Sequence, residues 1–136
     1  MKAKNWVQRL LDLLSHKSPD EPIGKRAERE AALYLQRRGY QLLKADVRSP
    51  FGQIDLVCRK GNTIVFVEVK ARSQEEFGSP LEGLRPKQKE RLFRSGEAFI
   101  AKHQLSHCEV RFDLIGISFN KKGQIVRIEH IPNAFN

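Results

Sequence analysis

Apolar residues recur along the chain with two different periods. Trp6, Val7, Leu10, Leu11 and Leu14 follow helical spacing, and so do Ile23, Ala27, Ala31, Tyr34 and Leu35. The spacing predicts helices over about 6–14 and 23–38, with Gly39 stopping the second. Ser18-Pro19-Asp20-Glu21-Pro22 breaks the chain between them. Three strand-like runs follow, 40–48, 53–59 and 63–71, separated by Ser49-Pro50-Phe51-Gly52 and by Gly61-Asn62. Residues 73–83 are polar and glycine-containing and predict a mobile loop. Pro86 suits a first helical position, and Leu92, Phe93, Gly96, Phe99 and Ile100 give a helix from 86 to about 103 its apolar face. Strands over 109–119 and 124–131 close the chain. The order α, α, β, β, β, α, β, β predicts an α/β fold, a mixed sheet flanked by helices. Residues 1–21 read as an amphipathic helix and linker, and 22–136 as the main domain.

The third strand is tied to the second by a two-residue loop, and that fixes a register. With Gly61-Asn62 as the loop, Lys60 pairs with Thr63, Val57 with Phe66, Asp55 with Glu68 and Gln53 with Lys70. Alternation then puts Ile54, Leu56, Cys58, Val65, Val67 and Val69 on one apolar face. Gln53, Asp55, Val57, Phe66, Glu68 and Lys70 share the other face. Two carboxylates directly opposed repel each other. At about 5 Å and an effective dielectric near 20, the cost is roughly 3 kcal/mol if both are ionised. Lys70 offsets part of it, and a divalent cation would offset more. Mg²⁺ commonly takes one or two carboxylates and completes its shell with water and phosphate oxygens. The plain alternative is a solvated face on which the acids splay apart, although Val57 and Phe66 disfavour a wet one. Glu28 flanks the apolar stripe of the second helix, so it is either an ordinary surface glutamate or one that reaches the rim of the sheet.

Charge adds a partner class. The 136 residues carry a net charge of +9, so a polyanion is the default partner, nucleic acid ahead of an anionic membrane surface. Arg85, Lys87, Lys89, Arg91 and Arg94 crowd the third helix, Lys70 and Arg72 precede its loop, and Arg37, Arg38, Lys44 and Arg48 form a second group. Such groups track phosphates or are simply solvated, and nothing here reads base edges. The first helix is too interrupted by Gln8, Arg9 and Asp12 for a signal peptide or a membrane span. It docks on the domain, on a partner subunit or on a membrane surface. Cys58 and Cys108 read as buried thiols in a reducing, cytoplasmic setting. His16, His103, His107 and His130 lack metal-ligand spacing.

Gly52-Gln53-Ile54-Asp55-Leu56 followed by Phe66-Val67-Glu68-Val69-Lys70 resembles the central motif of the PD-(D/E)XK nuclease superfamily. Within it the chain is similar to the YraN-like family of bacterial proteins, itself similar to archaeal Holliday-junction resolvases. Gly24, Ala27-Glu28, Gly39-Tyr40, Lys87-Gln88-Lys89, Arg111-Phe112-Asp113, Ile128-Glu129-His130-Ile131 and Ala134-Phe135 extend the likeness. The resemblance implies a restriction-endonuclease-like fold. It implies Asp55, Glu68 and the carbonyl of Val69 as ligands of Mg²⁺ or Mn²⁺. It further implies Lys70 beside the attacking water, Glu28 as the supporting helix acid and Gln88 as a polar residue of the following helix. Arg48, Arg72, Arg85, Lys87, Lys89 and Arg91 would face nucleic acid, DNA bound by structure rather than sequence, and a two-fold dimer would suit a junction. One departure stands out: Gln53 replaces the glutamate of the usual Gly-Glu-Ile-Asp, which removes a charge from the motif. Three functions follow, a metal-dependent nuclease, a non-catalytic nucleic-acid-binding module, and an interaction factor acting through its first helix.

Overall fold

The computed structural model describes residues 6–15 and 20–135. The expected break at Ser18-Pro19 and His16 lie outside the described residues. Helix α1 spans Trp6–Ser15 and α2 spans Ile23–Arg37. Strands β1 (Gln41–Ser49), β2 (Gly52–Lys60) and β3 (Thr63–Ser73) follow. A 3₁₀ turn at Pro80–Gly83 leads to α3 (Pro86–Lys102), β4 (Glu109–Phe119) and β5 (Ile125–Ile131). The five strands form one mixed sheet in the order β1-β2-β3-β4-β5. Only β3 and β4 run parallel, joined by the α3 crossover. The predicted element order and the sandwiched mixed sheet are those of a restriction-endonuclease-like fold.

Both faces of the sheet are covered. On one side Ala27, Ala31, Ala32 and Leu35 of α2 pack on Leu56, Cys58, Val65, Val67, Ile115 and Ile117, joined by Leu10 and Leu13 of α1. On the other, Leu92 and Phe99 of α3 pack on Ile54, Val57, Phe66 and Leu114, with Phe135. The runs Ile64–Val67 and Leu114–Ile117 are buried throughout, as strands covered on both faces must be. Arg29 of α2 is also buried, its Nη1 donating to both carboxylate oxygens of Glu21. Ile23, placed on the apolar stripe by spacing, is instead exposed at the start of α2.

The loop after β3 is tied down rather than plain coil. Arg72 Nη1 donates to the Gly78 carbonyl (3.1 Å) and Nη2 to the Phe77 carbonyl (3.3 Å). The 3₁₀ turn then presses on β4: a Cβ added at Gly116 would lie 2.5 Å from Pro80 Cγ. Gly116 is the β4 residue level with Lys70 of β3, so this close approach lays the turn beside Lys70.

Candidate metal centre and basic surface

The predicted hairpin register holds from Lys60↔Thr63 to Leu56↔Val67. There the ladder ends. Further along, β2 pairs with β1, Val47↔Ile54 and Arg48↔Gln53. The two strands part at Asp55, and its carboxylate enters the gap, where Oδ2 accepts the Val69 N–H at 2.8 Å. The alternation slips at the same residue. Ile54 joins the α3-side core with Val57, not the α2-side core with Leu56 as strict alternation predicts. Gln53 is exposed and lies across from Arg48 on β1, and the β2–β3 ladder stops short of pairing it with Lys70.

Asp55 and Glu68 nevertheless come together, their carboxyl groups close enough for Glu68 to raise the Asp55 pKa. Burial pushes the Asp55 carboxyl well above the usual range, the neighbouring Glu68 carboxyl pushes the same way, and the Val69 N–H opposes them. Glu28, with its side chain 17% exposed, is raised to about 7. Burial is the main cause, the charges of Asp55 and Asp46 add to it, and Lys25 at 3.8 Å counters them. The acids of α2, β2 and β3 thus share one field.

Asp46 is a fourth member that the motif did not disclose. It sits in β1 with φ 54°, a left-handed conformation aspartate tolerates better than most residues. Its charge bears on both Glu28 and Asp55. Arg48 Nε lies 3.5 Å from its Oδ1. The signal in sequence was only a lone aspartate in a strand, which carries no geometry until its backbone is seen.

The donor set fits a Mg²⁺-like ion. Two carboxylates converge, and the carbonyl of Val69 faces the same neighbouring strand as its N–H, which already reaches Asp55. Among the described residues no three His, Cys, Asp or Glu side chains form a ready cage. Lys70 is half-buried, with its Cε 3.4 Å from where a Cβ on Gly83 would lie.

The predicted basic residues divide. The chain leaves the sheet at the end of β3 and returns at the start of β4, so α3 begins at the end of the sheet that carries the acids. Arg85 and Lys87 are exposed at that helix start and Lys89 is half-buried. Arg91 is exposed, its Cβ within 3.5 Å of a Cβ placed on Gly52, so it borders the β1–β2 turn. Arg48 is exposed on β1 at the same end. Arg72 is a correction: its side chain is 8% exposed and is spent on the loop and on Glu76 and Glu129. Gln88 is likewise engaged, its Oε1 accepting the Arg85 N–H (2.9 Å) to cap α3. Arg38 stands at the opposite end, where Lys60 Nζ reaches its carbonyl (3.3 Å). Lys44 lies 3.1 Å from His103 Nε2, so the second basic group disperses.

His130, without a role in the sequence, belongs to a buried network. The Asp113 carboxylate is fully buried and accepts from Arg111 Nε (2.8 Å) and Nη2 (2.9 Å) and from the Asn133 N–H (2.9 Å). His130 Nε2 lies 2.8 Å from its Oδ2. Burial raises this acid, but the hydrogen bonds outweigh it and hold its pKa below the ordinary value. Arg111 also donates to Tyr40 Oη (2.7 Å). The network binds the C-terminal segment to the sheet.

The profile of the uncharacterised protein family UPF0102 matches residues 27–117, a stretch containing the whole acid cluster. The chain belongs to the UPF0102 family. A UPF0102 protein of Geobacter metallireducens is 40% identical over 117 residues, 85% of this chain and 93% of that protein. Those of Dictyoglomus turgidum (35% identical, 85% of this chain and 98% of that one) and Christiangramia forsetii (38%, 83% and 92%) are similar over nearly their full lengths. No helix among the described residues of this UPF0102 chain is long and apolar enough to cross a membrane.

Proposed function

We propose that this UPF0102 protein is a Mg²⁺- or Mn²⁺-dependent phosphodiesterase of the nuclease type, acting on structured DNA. The observation that carries the proposal is the contact between Asp55 and Glu68 where β2 and β3 part, with Val69 turned into the same gap. Burying two acids against each other is costly, and a cation removes the cost. Asp55, Glu68 and the Val69 carbonyl would hold the ion, with Glu28 behind them. When bound, it supplies positive charge against the phosphodiester and makes a nearby water more acidic.

The chain's own groups do the rest. Lys70 follows Val69 on β3, so its ammonium would orient the attacking water and neutralise charge developing on the phosphate. Arg85, Lys87, Lys89, Arg91 and Arg48 would hold flanking phosphates, a contribution that weakens as salt rises. A second reading, DNA binding without cleavage, is favoured by Gln53, whose neutral side chain stands exposed two residues before Asp55.

Calorimetry with Mg²⁺ and Mn²⁺ on the native chain and on Asp55→Asn, followed by cleavage of branched DNA by native and Lys70→Ala proteins, tests the reading. Metal binding lost in Asp55→Asn and cleavage lost in Lys70→Ala are expected. No metal binding even with DNA present would sink the enzymatic reading, and cleavage that survives Lys70→Ala would remove that residue's role.

A further inference from the structure

Two phenylalanines stand in water at one end of the molecule. Phe77 is 92% exposed at the tip of the loop after β3, and Phe51 is 43% exposed in the turn before β2. In an antiparallel pair the start of one strand meets the end of the other, so both turns lie at the end of the sheet where β2 and β3 part. The basic start of α3 lies there too, with Arg91 against the Phe51 turn.

The Phe77 loop is built, and its parts serve to display that ring. Arg72 clamps the carbonyls of Phe77 and Gly78 (3.3 and 3.1 Å). Gln74 N–H donates to the Phe119 carbonyl (2.8 Å), and Ser73 N–H donates to Glu76 Oε2 (2.7 Å). Glu76 lies 3.9 Å from Arg72 Nε, and Glu75 lies 3.6 Å from Lys121 Nζ. Glu75 and Glu76 are thus offset by cations, while the third acid of the loop, Glu82, stands exposed with its carboxylate against Gly78. Every residue from Gln74 to Gly78 is exposed, so Phe77 has no apolar surround to join. An aromatic ring held out on a polar loop, at the same end of the sheet as exposed cations, is an arrangement that stacks on unpaired bases, since every base offers a π-face.

Resting on the nucleic-acid reading above, we propose that Phe77, assisted by Phe51, stacks on unstacked bases, so that the preferred substrate is DNA with a branch point and not continuous duplex. Recognition then comes from two separable sources. The cations grip phosphates that any DNA supplies. The rings grip base faces that only interrupted stacking exposes. Charge complementarity favours DNA over a protein partner: against the exposed Glu82, four cations, Arg48, Arg85, Lys87 and Arg91, stand exposed at the same end of the sheet.

The test is fluorescence anisotropy in Ca²⁺ buffer with a four-way junction, 2-aminopurine at its branch, against a linear duplex of the same sequence. Native protein, Phe77→Ala, Phe77→Trp and Lys87→Ala are compared. Phe77→Ala should weaken junction binding roughly fivefold to a hundredfold, leave duplex binding within about twofold and abolish the 2-aminopurine signal, while Phe77→Trp retains all three. Lys87→Ala should weaken both substrates alike. Native protein that binds junction and duplex equally, with Phe77→Ala unchanged, overturns the stacking proposal and leaves DNA binding standing. Native protein that binds neither DNA overturns both. Because Phe77 is exposed, its replacement should not alter the thermal melt.

Discussion

Replacing Glu28 by glutamine should stabilise the metal-free protein, and only above acidic pH. The Glu28 carboxyl titrates at about 7 in the fold against 4.5 when unperturbed, chiefly through burial and then through Asp55. Ionising it in the fold is therefore harder than in the unfolded chain. At 1.36 kcal/mol per unit, the difference amounts to about 3 kcal/mol at pH 8. The sign follows from the raised value. Below pH 4.5 both states carry the proton and nothing is lost; between 4.5 and 7 the unfolded chain releases it while the folded one keeps it, so stability falls across that window and levels off above 7. Glutamine keeps the shape and never ionises. Urea unfolding in EDTA at pH 4.5 and pH 8 should show no gain for Glu28→Gln at the lower pH and a gain of up to about 3 kcal/mol at the higher, on the order of 10 °C in Tm. Mg²⁺ should narrow the gap at pH 8 by stabilising the native chain more. A gain of equal size at both pH values, or a loss at pH 8, would refute the reasoning.

Asp113→Asn should destabilise by about 3–5 kcal/mol at pH 7, because it strips the buried partner from Arg111 and His130. Its folded pKa is depressed, so that contribution is present above pH 4 and lost as pH falls through the depressed value, and the two proteins' stabilities should draw together in acid. Gly116→Ala should cost about 1–3 kcal/mol by driving a methyl against Pro80, read as a lower urea midpoint with an unchanged slope. The Cys58 thiol, fully buried and pushed up to about 12 first by burial and then by Asp113, should resist alkylation in the native state, while half-buried Cys108 reacts first in a mass-spectrometric time course. Deleting residues 1–21 should lower the melting temperature, since it removes Leu10, Leu13 and the Glu21 partner of buried Arg29.

The sheet was legible because its signals are local. Gly61-Asn62 is a two-residue loop with Gly61 at φ 60°, and alternation carried the register correctly as far as Leu56↔Val67. It failed where the ladder itself fails. Alternation assumes a continuous strand, whereas at Asp55 the backbone hydrogen bond to the neighbour is replaced by a side chain. Ile54 and Gln53 were misplaced for that one reason. Asp46 was missed because a positive φ inside a strand leaves no mark on the pattern. Arg72 was read as a ligand-facing cation because charge is visible in sequence and burial is not. Phe51 and Phe77 are 26 positions apart, and only the antiparallel return of β3 along β2 puts them at one end.

Burial alone does not single out the acid pair, because the same sheet contains a control. Asp113 is more buried than Asp55 and lies two strands away on β4, level with Val67 of β3. Yet its pKa falls, because Arg111, His130 and the Asn133 N–H fill its acceptor sites. Asp55 has one backbone N–H on one oxygen and meets Glu68, a group of its own sign. A fold that satisfies one buried carboxylate so fully had the means to satisfy the other. Leaving Asp55 against Glu68, with Glu28 and Asp46 adding to the same field, opposes stability at neutral pH. A group that binds there and carries positive charge reverses the balance. The two acids therefore predict opposite responses to one reagent: Mg²⁺ should raise the melting temperature of the native chain and of Asp113→Asn by similar amounts, and leave that of Asp55→Asn where it was. Equal shifts in all three would place the ion elsewhere on the protein.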